Sequence, residues 1–322
     1  MSVDWRPSAS LATLRRRAAL LDASRAFFRA RGVLEVETPV ALRHTVTDVQ
    51  IDSLRVDAGP DARWLHTSPE YPMKRLLAAG SGDIFQLCRV FRAGESGRMH
   101  NPEFTLIEWY RLGPTLTGIM EETAALAAVL LAAGGRTAGA LETRSYADAF
   151  GQELDCDPLT APLAQLAALA AQHGLAASSQ ASATRDELLD FLLATRVGPA
   201  LGHDRLTCLH HFPASQAALA QLDTADPRTA LRFELFADGI ELANGYIELA
   251  SAAEQRLRFT QDLAERRRRG LAEPDFDERL LAALDSGLPP CAGVAMGFDR
   301  VAMLALGAEC IEDVMAFAWH QA

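Results

Sequence analysis

The chain has 322 residues, 49% of them hydrophobic and 23% charged, with a formal net charge of −11. That length is near the upper size for one continuous core, so one large domain, or one domain carrying an insertion, is expected. The acidic balance opposes broad contact with phosphate backbones and disfavours long nucleic acid as a partner.

Residues 1–7 lack the basic start and apolar segment of a signal peptide, and the apolar run 124–133 is too short to span a bilayer. A cytoplasmic protein without a membrane partner is expected. The five cysteines are far apart, which leaves no close pair for zinc or redox chemistry. Cys88 and Cys208 sit in apolar runs as small core residues.

Residues 11–31 read as an amphipathic helix, with Leu14, Ala18, Leu21 and Phe28 near helical spacing and Gly32 as the stop. Its Arg15-Arg16-Arg17 run is expected on a solvated face. Residues 33–38 alternate as a strand, and 64–67 form a short one. Ser68 then reads as an N-cap with Pro69 at the first helical position. That helix runs through Lys74 and Leu77 to Gly80, and its positive end suits a carboxylate or phosphate.

Residues 84–91 and 104–110 are alternating apolar runs on either side of a loop rich in Gly, Ser, Asn and Pro, the pattern of a long hairpin with an extended tip. Arg92 lies at its mouth, and Glu108 and Tyr110 share a face because side chains alternate with period 2. Each charge alone is most simply a surface group. Arg92, His100 and Glu108 around one loop are an odd way to decorate a structural hairpin.

Residues 117–133 read as a helix and 134–139 as a flexible glycine-rich break. Residues 145–200 are Ala- and Leu-rich and read as short helices near Tyr146, at 162–172 and at 185–196, with no clustered polar chemistry and no repeat. Strands follow at 206–211, 230–236 and 239–249. His210 and His211 should face opposite ways, as neighbours in a strand do. Residues 252–269 form a helix whose terminal Arg266–Arg269 run suits the dipole and reads as solvated. A strand at 293–297 and a helix at 298–306 close the pattern.

Several of these stretches match one family. Phe91-Arg92 followed by His100-Asn101-Pro102-Glu103-Phe104-Thr105 resembles motif 2 of the class II aminoacyl-tRNA synthetases, in the lysine-type subgroup. Residues 32–39 (Gly-Val-Leu-Glu-Val-Glu-Thr-Pro) resemble motif 1, and Thr67-Ser68-Pro69-Glu70 resembles the amino-acid-binding turn. Residues 239–245 (Gly-Ile-Glu-Leu-Ala-Asn-Gly) resemble the metal-binding strand, and 293–300 (Gly-Val-Ala-Met-Gly-Phe-Asp-Arg) resemble motif 3. The likeness runs in order from about residue 10 to the end. Within the class the chain most resembles the short ligases that join lysine or (R)-β-lysine to elongation factor P.

The resemblance implies an α+β fold: a class II synthetase-like catalytic domain with an antiparallel β-sheet flanked by helices. It implies one such domain over 1–322, with a helical insertion at about 145–200, and a homodimer built on the first helix and strand. The implied chemistry is adenylation of an amino acid by ATP, mainly positioning and electrostatics. Arg92 would hold the α-phosphate and substrate carboxylate, since a guanidinium fork matches both. Arg300 would act beside it. Arg92, Ala93, Gly94, His100, Asn101, Glu234, Leu235, Gly297 and Arg300 take the ATP-binding positions, with Gly297 allowing close approach. Glu234 and Glu241 are the implied Mg²⁺ ligands, hard oxygens suited to an ion bound with phosphates.

The substrate positions are Ser68, Pro69, Glu70, Glu108, Tyr110, Glu241, Asn244, Glu248 and Ala295. By resemblance, Glu108, Tyr110 and Glu248 take the side-chain amine, Glu70 the other amine, and Asn244 the carboxylate end. Charge points the same way: buried acids need a cationic partner, so the amino acid should carry an extra amine. Two positions depart from lysyl-tRNA synthetases. Gly94 stands where motif 2 usually has Glu, and Glu95 follows it. Ala295 stands where they have Gly, and one added methyl in a packed pocket displaces a ligand or costs about 1–3 kcal/mol. In the short ligases Ala here accompanies a preference for (R)-β-lysine, so Ala295 is expected to shift selectivity that way.

Only about ten residues precede the first helix, so no anticodon-binding domain is expected before it. With the acidic balance, this argues against tRNA charging, and the resemblance then implies a protein acceptor, the ε-amine of a lysine on elongation factor P. Two other readings stay open: a free-standing lysine-type adenylating enzyme that charges tRNA or a small amine, and a non-catalytic regulatory synthetase paralogue. Arg92, Glu234, Glu241 and Arg300 together weigh against the second.

Overall fold

Alternating apolar runs make the long strands of this chain, and amphipathic runs make its helices. The computed structural model describes residues 5–59, 61–176 and 183–322, and elements are numbered in chain order below. Residues 1–4 of the N-terminal stretch and 177–182 of the segment 145–200 lie outside the described residues. The chain divides into two compact units, one comprising Met1–Pro114, Ala125–Thr137 and Leu249–Ala322, the other Thr115–Ala124 and Ala138–Glu248.

In the first unit, β1 (Leu34–Glu35), β5 (Ile84–Phe91), β6 (Glu103–Leu112) and β11 (Cys291–Gly297) lie side by side in that order. Only β1–β5 is parallel. A small antiparallel sheet holds β2 (Ala41–Leu42), β3 (Arg55–Ala58) and β4 (Asp61–Leu65). The hairpin is where the alternation places it. The strand expected at 33–38 is only two residues long, and β2 and β3 carry too little pattern to be anticipated.

Helix α1 (Leu11–Arg29) starts at Ser10, whose hydroxyl accepts the Thr13 amide, and ends before Gly32 at φ +69°. It covers one face of the sheet: Phe28 stacks on Phe85 at 4.4 Å and meets Trp109 at 5.4 Å. The opposite face carries Gln86, Glu108 and Ala295 in one register row. Helix α2 (Glu70–Ala78) follows the small sheet; α7 (Ala252–Arg268), α8 (Glu278–Asp285) and α9 (Phe298–Leu306) complete the unit. The sequence reading missed α8, although Asp277 caps it by accepting the Arg279 and Leu280 amides.

Two expected solvated charge runs are partly buried. Arg17 of α1 is 8% exposed and pairs with Asp299, the second residue of α9. Arg17 also donates to Thr105 Oγ1 at 3.0 Å and to the Val314 carbonyl, while Asp299 accepts the Thr105 amide at 2.5 Å. Arg266 of α7 is 5% exposed and spans to the chain near Asp48 and Asp52. Runs of arginine read as surface because a one-dimensional pattern does not reveal which member meets a buried carboxylate.

Helix α3 (Leu116–Ala133) contributes to both units. Taken whole, it is long and apolar enough to cross a membrane by length and composition, which corrects the reading based on residues 124–133 alone. Ile119, Leu126, Ala127, Leu130 and Leu131 are buried, as in a core helix. The glycine break after it is packed rather than flexible. A Cβ on Gly134 would lie 2.5 Å from Ala305, and one on Gly139 would lie 1.9 Å from the Asp204 carbonyl oxygen.

In the second unit the strand order is β10 (Ile240–Ile247), β9 (Thr229–Ala237), β8 (Leu206–Pro213) and β7 (Leu141–Ser145), parallel only between β7 and β8. Helices α4 (Tyr146–Leu154), α5 (Leu163–Gln172) and α6 (Arg185–Leu192), with a π turn at Leu193–Val197, bury their apolar faces against Leu209, Phe212 and Phe236. His210 and His211 do not face opposite ways. A bulge and a left-handed backbone at His211 (φ +57°) turn the second ring back, so the two Nδ1 atoms lie 2.5 Å apart. Burial and the neighbouring imidazole lower the His210 pKa to about 4.

Both α+β units thus use antiparallel strands flanked by helices, as the resemblance implied. The Arg17–Asp299 pair joins α1, β6 and α9. Arg17→Met should leave Asp299 buried without its cation and lower unfolding free energy by about 3–5 kcal/mol, measured by urea denaturation. A loss below about 1 kcal/mol would show that the pair does not support this unit.

Candidate active site

The first group of polar residues grows from the register of β5, β6 and β11. Gln86 and Ala295 are the direct neighbours of Glu108 on either side, so all three share a face, with Tyr110 two residues along on the same side. Glu108 is 2% exposed. One carboxylate oxygen accepts Ser68 Oγ–H at 2.6 Å and the other accepts Tyr110 O–H at 2.8 Å. Ser68 Oγ in turn accepts the Glu70 amide at 3.0 Å. Pro69 is the cap residue and α2 begins at Glu70, one residue later than expected, but the Ser68 hydroxyl still serves the first turn.

Glu70 pairs with Lys74 at 2.6 Å, one helical turn on, and Lys74 is 1% exposed. The sequence reading passed over this lysine, although its i,i+4 spacing from Glu70 was visible. Burial first, then the charge of Glu70, push the Glu108 carboxyl up to about 8; Ser68, Tyr110 and Lys74 pull the other way. The pocket therefore holds a carboxyl that keeps its proton near neutrality until a cation meets it. Cys88 shares this face and is part-exposed rather than core. Burial, then Glu108, push its thiol up to about 12, so it is unreactive.

Arg92 follows the end of β5. Its guanidinium lies 5.1 Å above the Phe104 ring, on the face that Glu108 shares, and is 3.6 Å from Glu95. Its Nε is buried with no hydrogen-bond partner among the described residues, a donor suited to an anion. Gly94 has φ +78°, where a glutamate would be strained, and the acid has moved to Glu95 beside Arg92. Arg300 Nη2 donates to His100 Nε2 at 2.7 Å, which brings motifs 2 and 3 together.

Asn101 braces its own loop: its Nδ2 donates to the Glu103 carbonyl at 2.6 Å, and its Oδ1 accepts the Trp319 amide at 3.0 Å. Each end keeps one further hydrogen-bonding site, a second Nδ2 hydrogen and a second Oδ1 lone pair. Gly297 is the cap of α9, with Arg300 in that helix's first turn.

The second group lies on β9 and β10. Asp238 and Gly239, at φ +50° and +72°, make the tight turn between them. Asn244 sits directly opposite Glu234, and Glu241 opposite Phe236. Glu241 and Asn244 are three residues apart and would face opposite ways in a regular strand. A bulge between Glu241 and Ala243 puts them on one face with Glu234. Leu235 is fully buried and points to the other face, so its side chain is core. Glu248, 1% exposed, follows β10 and bridges to Ala220.

Arg232 ties this second group together. It donates to Glu234 Oε1 at 2.6 Å, Asn244 Oδ1 at 3.1 Å and the Gln216 carbonyl at 2.8 Å, with its guanidinium 4.4 Å over Phe212. The sequence reading missed it, since an arginine two residues before a strand glutamate has no distinctive spacing. Burial, then the charge of Glu241, push the Glu234 carboxyl up to about 7, against the pull of Arg232. Asp190 of α6 adds to that negative field, so the helical segment is not without polar chemistry.

Two mutually repelling hard carboxylates fit a divalent cation. Among the described residues no group of three or more His, Cys, Asp or Glu gathers to hold a metal. An ion here would complete its shell with non-protein oxygens, the habit of Mg²⁺ bound with phosphates.

The family described as tRNA synthetases class II (D, K and N) matches residues 1–321. The elongation factor P–(R)-β-lysine ligase of Sodalis glossinidius is 48% identical over 100% of this chain and 99% of its own length. The ligase of the same name from Klebsiella pneumoniae (strain 342) is 48% identical over 99% of this chain and 98% of its own. That from Proteus mirabilis is 47% identical over 99% and 98%. The chain belongs to the class II tRNA synthetase family (D, K and N), in the branch that contains these elongation factor P–(R)-β-lysine ligases.

Proposed function

We propose that this protein is an ATP-dependent ligase that activates (R)-β-lysine, or lysine, as its adenylate and transfers it to a lysine ε-amine of elongation factor P. The observation that carries this reading is the buried Glu108 carboxyl, held by Ser68 and Tyr110 and pushed up to about 8. Such a group favours an ammonium and disfavours an acidic side chain. Full-length similarity to ligases of that name supports the acceptor and the β-amino acid.

In the first half-reaction a substrate carboxylate oxygen attacks the α-phosphorus of ATP, the bond to the β-phosphate oxygen breaks, and pyrophosphate leaves. Arg92 would orient the attacking carboxylate and the α-phosphate, its buried Nε supplying one donor. His100 and Arg300 would bind the polyphosphate as a linked pair, and Ala93, Gly94 and Asn101 would meet the nucleotide. Glu234 and Glu241 would hold Mg²⁺, which when bound neutralises triphosphate charge. In the second half-reaction the neutral ε-amine attacks the acyl carbon, AMP leaves, and the amine's proton is lost.

Glu108 and Tyr110 would take one substrate amine; Glu70, shared with Lys74, would take the other. The roles of Asn244, Glu248, Leu235 and Gly297 rest on the resemblance to the family. Ala295 is the direct sheet neighbour of Glu108, so its methyl group stands beside the carboxyl that receives the amine. Leu11 and Leu34, in the first helix and first strand, are 65% and 55% exposed, which supports a homodimer. The family match over 1–321 supports one catalytic domain, and the 145–200 segment is proposed as its helical insertion. Cytoplasm is the proposed compartment, since the acceptor is a translation factor.

With Mg²⁺ and (R)-β-lysine, the protein should catalyse ATP–pyrophosphate exchange and label elongation factor P but not tRNA. Absence of exchange with both (R)-β-lysine and lysine would favour the regulatory paralogue, and labelled tRNA would favour a free-standing synthetase. Ala295→Gly should lower the (R)-β-lysine to lysine ratio of kcat/KM in exchange by about fivefold to 150-fold, the equivalent of about 1–3 kcal/mol. An unchanged ratio would refute the role given to Ala295.

A further inference from the structure

Arg92 has its backbone fixed from two sides. Its own amide donates to the Pro102 carbonyl at 2.9 Å, and the next amide, of Ala93, donates to the Asp52 carbonyl at 2.8 Å. Asp52 belongs to residues 43–54, which contain no helix or strand. A segment without regular structure needs other ties to hold a carbonyl in place.

Those ties come from α7. Arg266 donates through Nη1 to the Asp48 carbonyl at 2.7 Å and through Nη2 to Asp52 Oδ1 at 2.9 Å. Its Nε donates to the Ala272 carbonyl at 2.6 Å, which anchors the guanidinium itself. One turn earlier Asp262 accepts Thr47 Oγ1–H at 2.6 Å, and Thr47 is 2% exposed. A buried planar cation bonded to both the carbonyl and carboxylate of one loop fixes its path in a way a surface pair does not.

We propose that Arg266, acting through the Asp48–Asp52 loop and the Ala93 amide, is a positioning residue for Arg92 in the adenylation step. The proposal rests on the adenylation reading above. Arg266 lies in α7, outside every motif that carried the resemblance, and itself touches neither Arg92 nor the acidic pocket in any bond described here. Its removal releases the loop, frees the Ala93 amide and lets the Arg92 backbone drift, while Glu108, Ser68 and Tyr110 keep their bonds.

The test is a double-mutant cycle in ATP–pyrophosphate exchange, with amino-acid binding and its proton release measured separately by calorimetry. Arg266→Met should lower kcat by about tenfold to a hundredfold, as expected for a displaced catalytic group, and leave the release of the Glu108 proton on amino-acid binding unchanged. Arg266→Lys should recover part of the loss. In an Arg92→Lys background, Arg266→Met should cost little more in either kcat or amino-acid Kd, because both act through one group that also meets the substrate carboxylate. Multiplicative losses, or a lost proton release on amino-acid binding, overturn the proposal in favour of a general structural role. If Arg266→Met does not fold, Arg266→Lys takes its place in the cycle under the same criteria. Exchange that survives Arg266→Met unchanged overturns this inference alone. No exchange in the unmodified protein overturns the adenylation reading and this inference with it.

Discussion

A carboxylate taken out of water must be paid for by a cation or keep its proton, and Glu108 is the place where this chain meets that condition. Ser68 and Tyr110 satisfy its oxygens as hydrogen-bond acceptors but bring no charge. Lys74, a buried cation whose charge acts on Glu108, is bonded to Glu70. The unmet requirement is for an ammonium, and a diamino acid supplies it. The same rule, applied to Glu234 and Glu241, explains why the half-buried Arg232 pairs with Glu234 and why a divalent ion suits the two acids.

The structure meets the cost of burying charge elsewhere with arginine. Arg17 beside Asp299, Arg232 beside Glu234 and Arg266 beside Asp52 each bond to backbone or amide oxygens as well as to a carboxylate. The planar fork lets one side chain tie two or three segments at once. Arg17 joins α1 to the residue before Arg300, and Arg266 holds the loop that receives the Ala93 amide. The segments that carry Arg92 and Arg300 are braced by residues outside the loop that bears them.

Much of this was legible in the sequence because it is written in local periodicity. The 84–91 strand, the 298–306 helix and the shared face of Glu108 and Tyr110 follow from periods of 2 and 3.6. The family was legible because the motif stretches keep their order and spacing along the chain. Where the period breaks, legibility ended. The bulge that puts Glu241 and Asn244 on one face, and the left-handed His211 that puts two imidazoles together, each shift the alternation by one residue. Buried arginines were hidden for another reason: Arg17 and Arg266 stand in basic runs, and only tertiary packing decides which guanidinium goes inside. The part Asn101 plays in bracing its loop was not legible, since its partners Glu103 and Trp319 are met only in the folded chain.

The pocket's demand for a cation is best tested by counting protons when (R)-β-lysine binds. Glu108 has a folded pKa raised from 4.5 to about 8, so at pH 7 it holds a proton that an arriving ammonium must displace. Calorimetry in buffers of different ionisation enthalpy should show release of about one proton per ligand at pH 7. Affinity should rise by roughly tenfold per pH unit up to about pH 8, and both effects should vanish in Glu108→Gln. Binding without proton release at pH 7, with affinity flat from pH 6 to pH 8, would contradict the account.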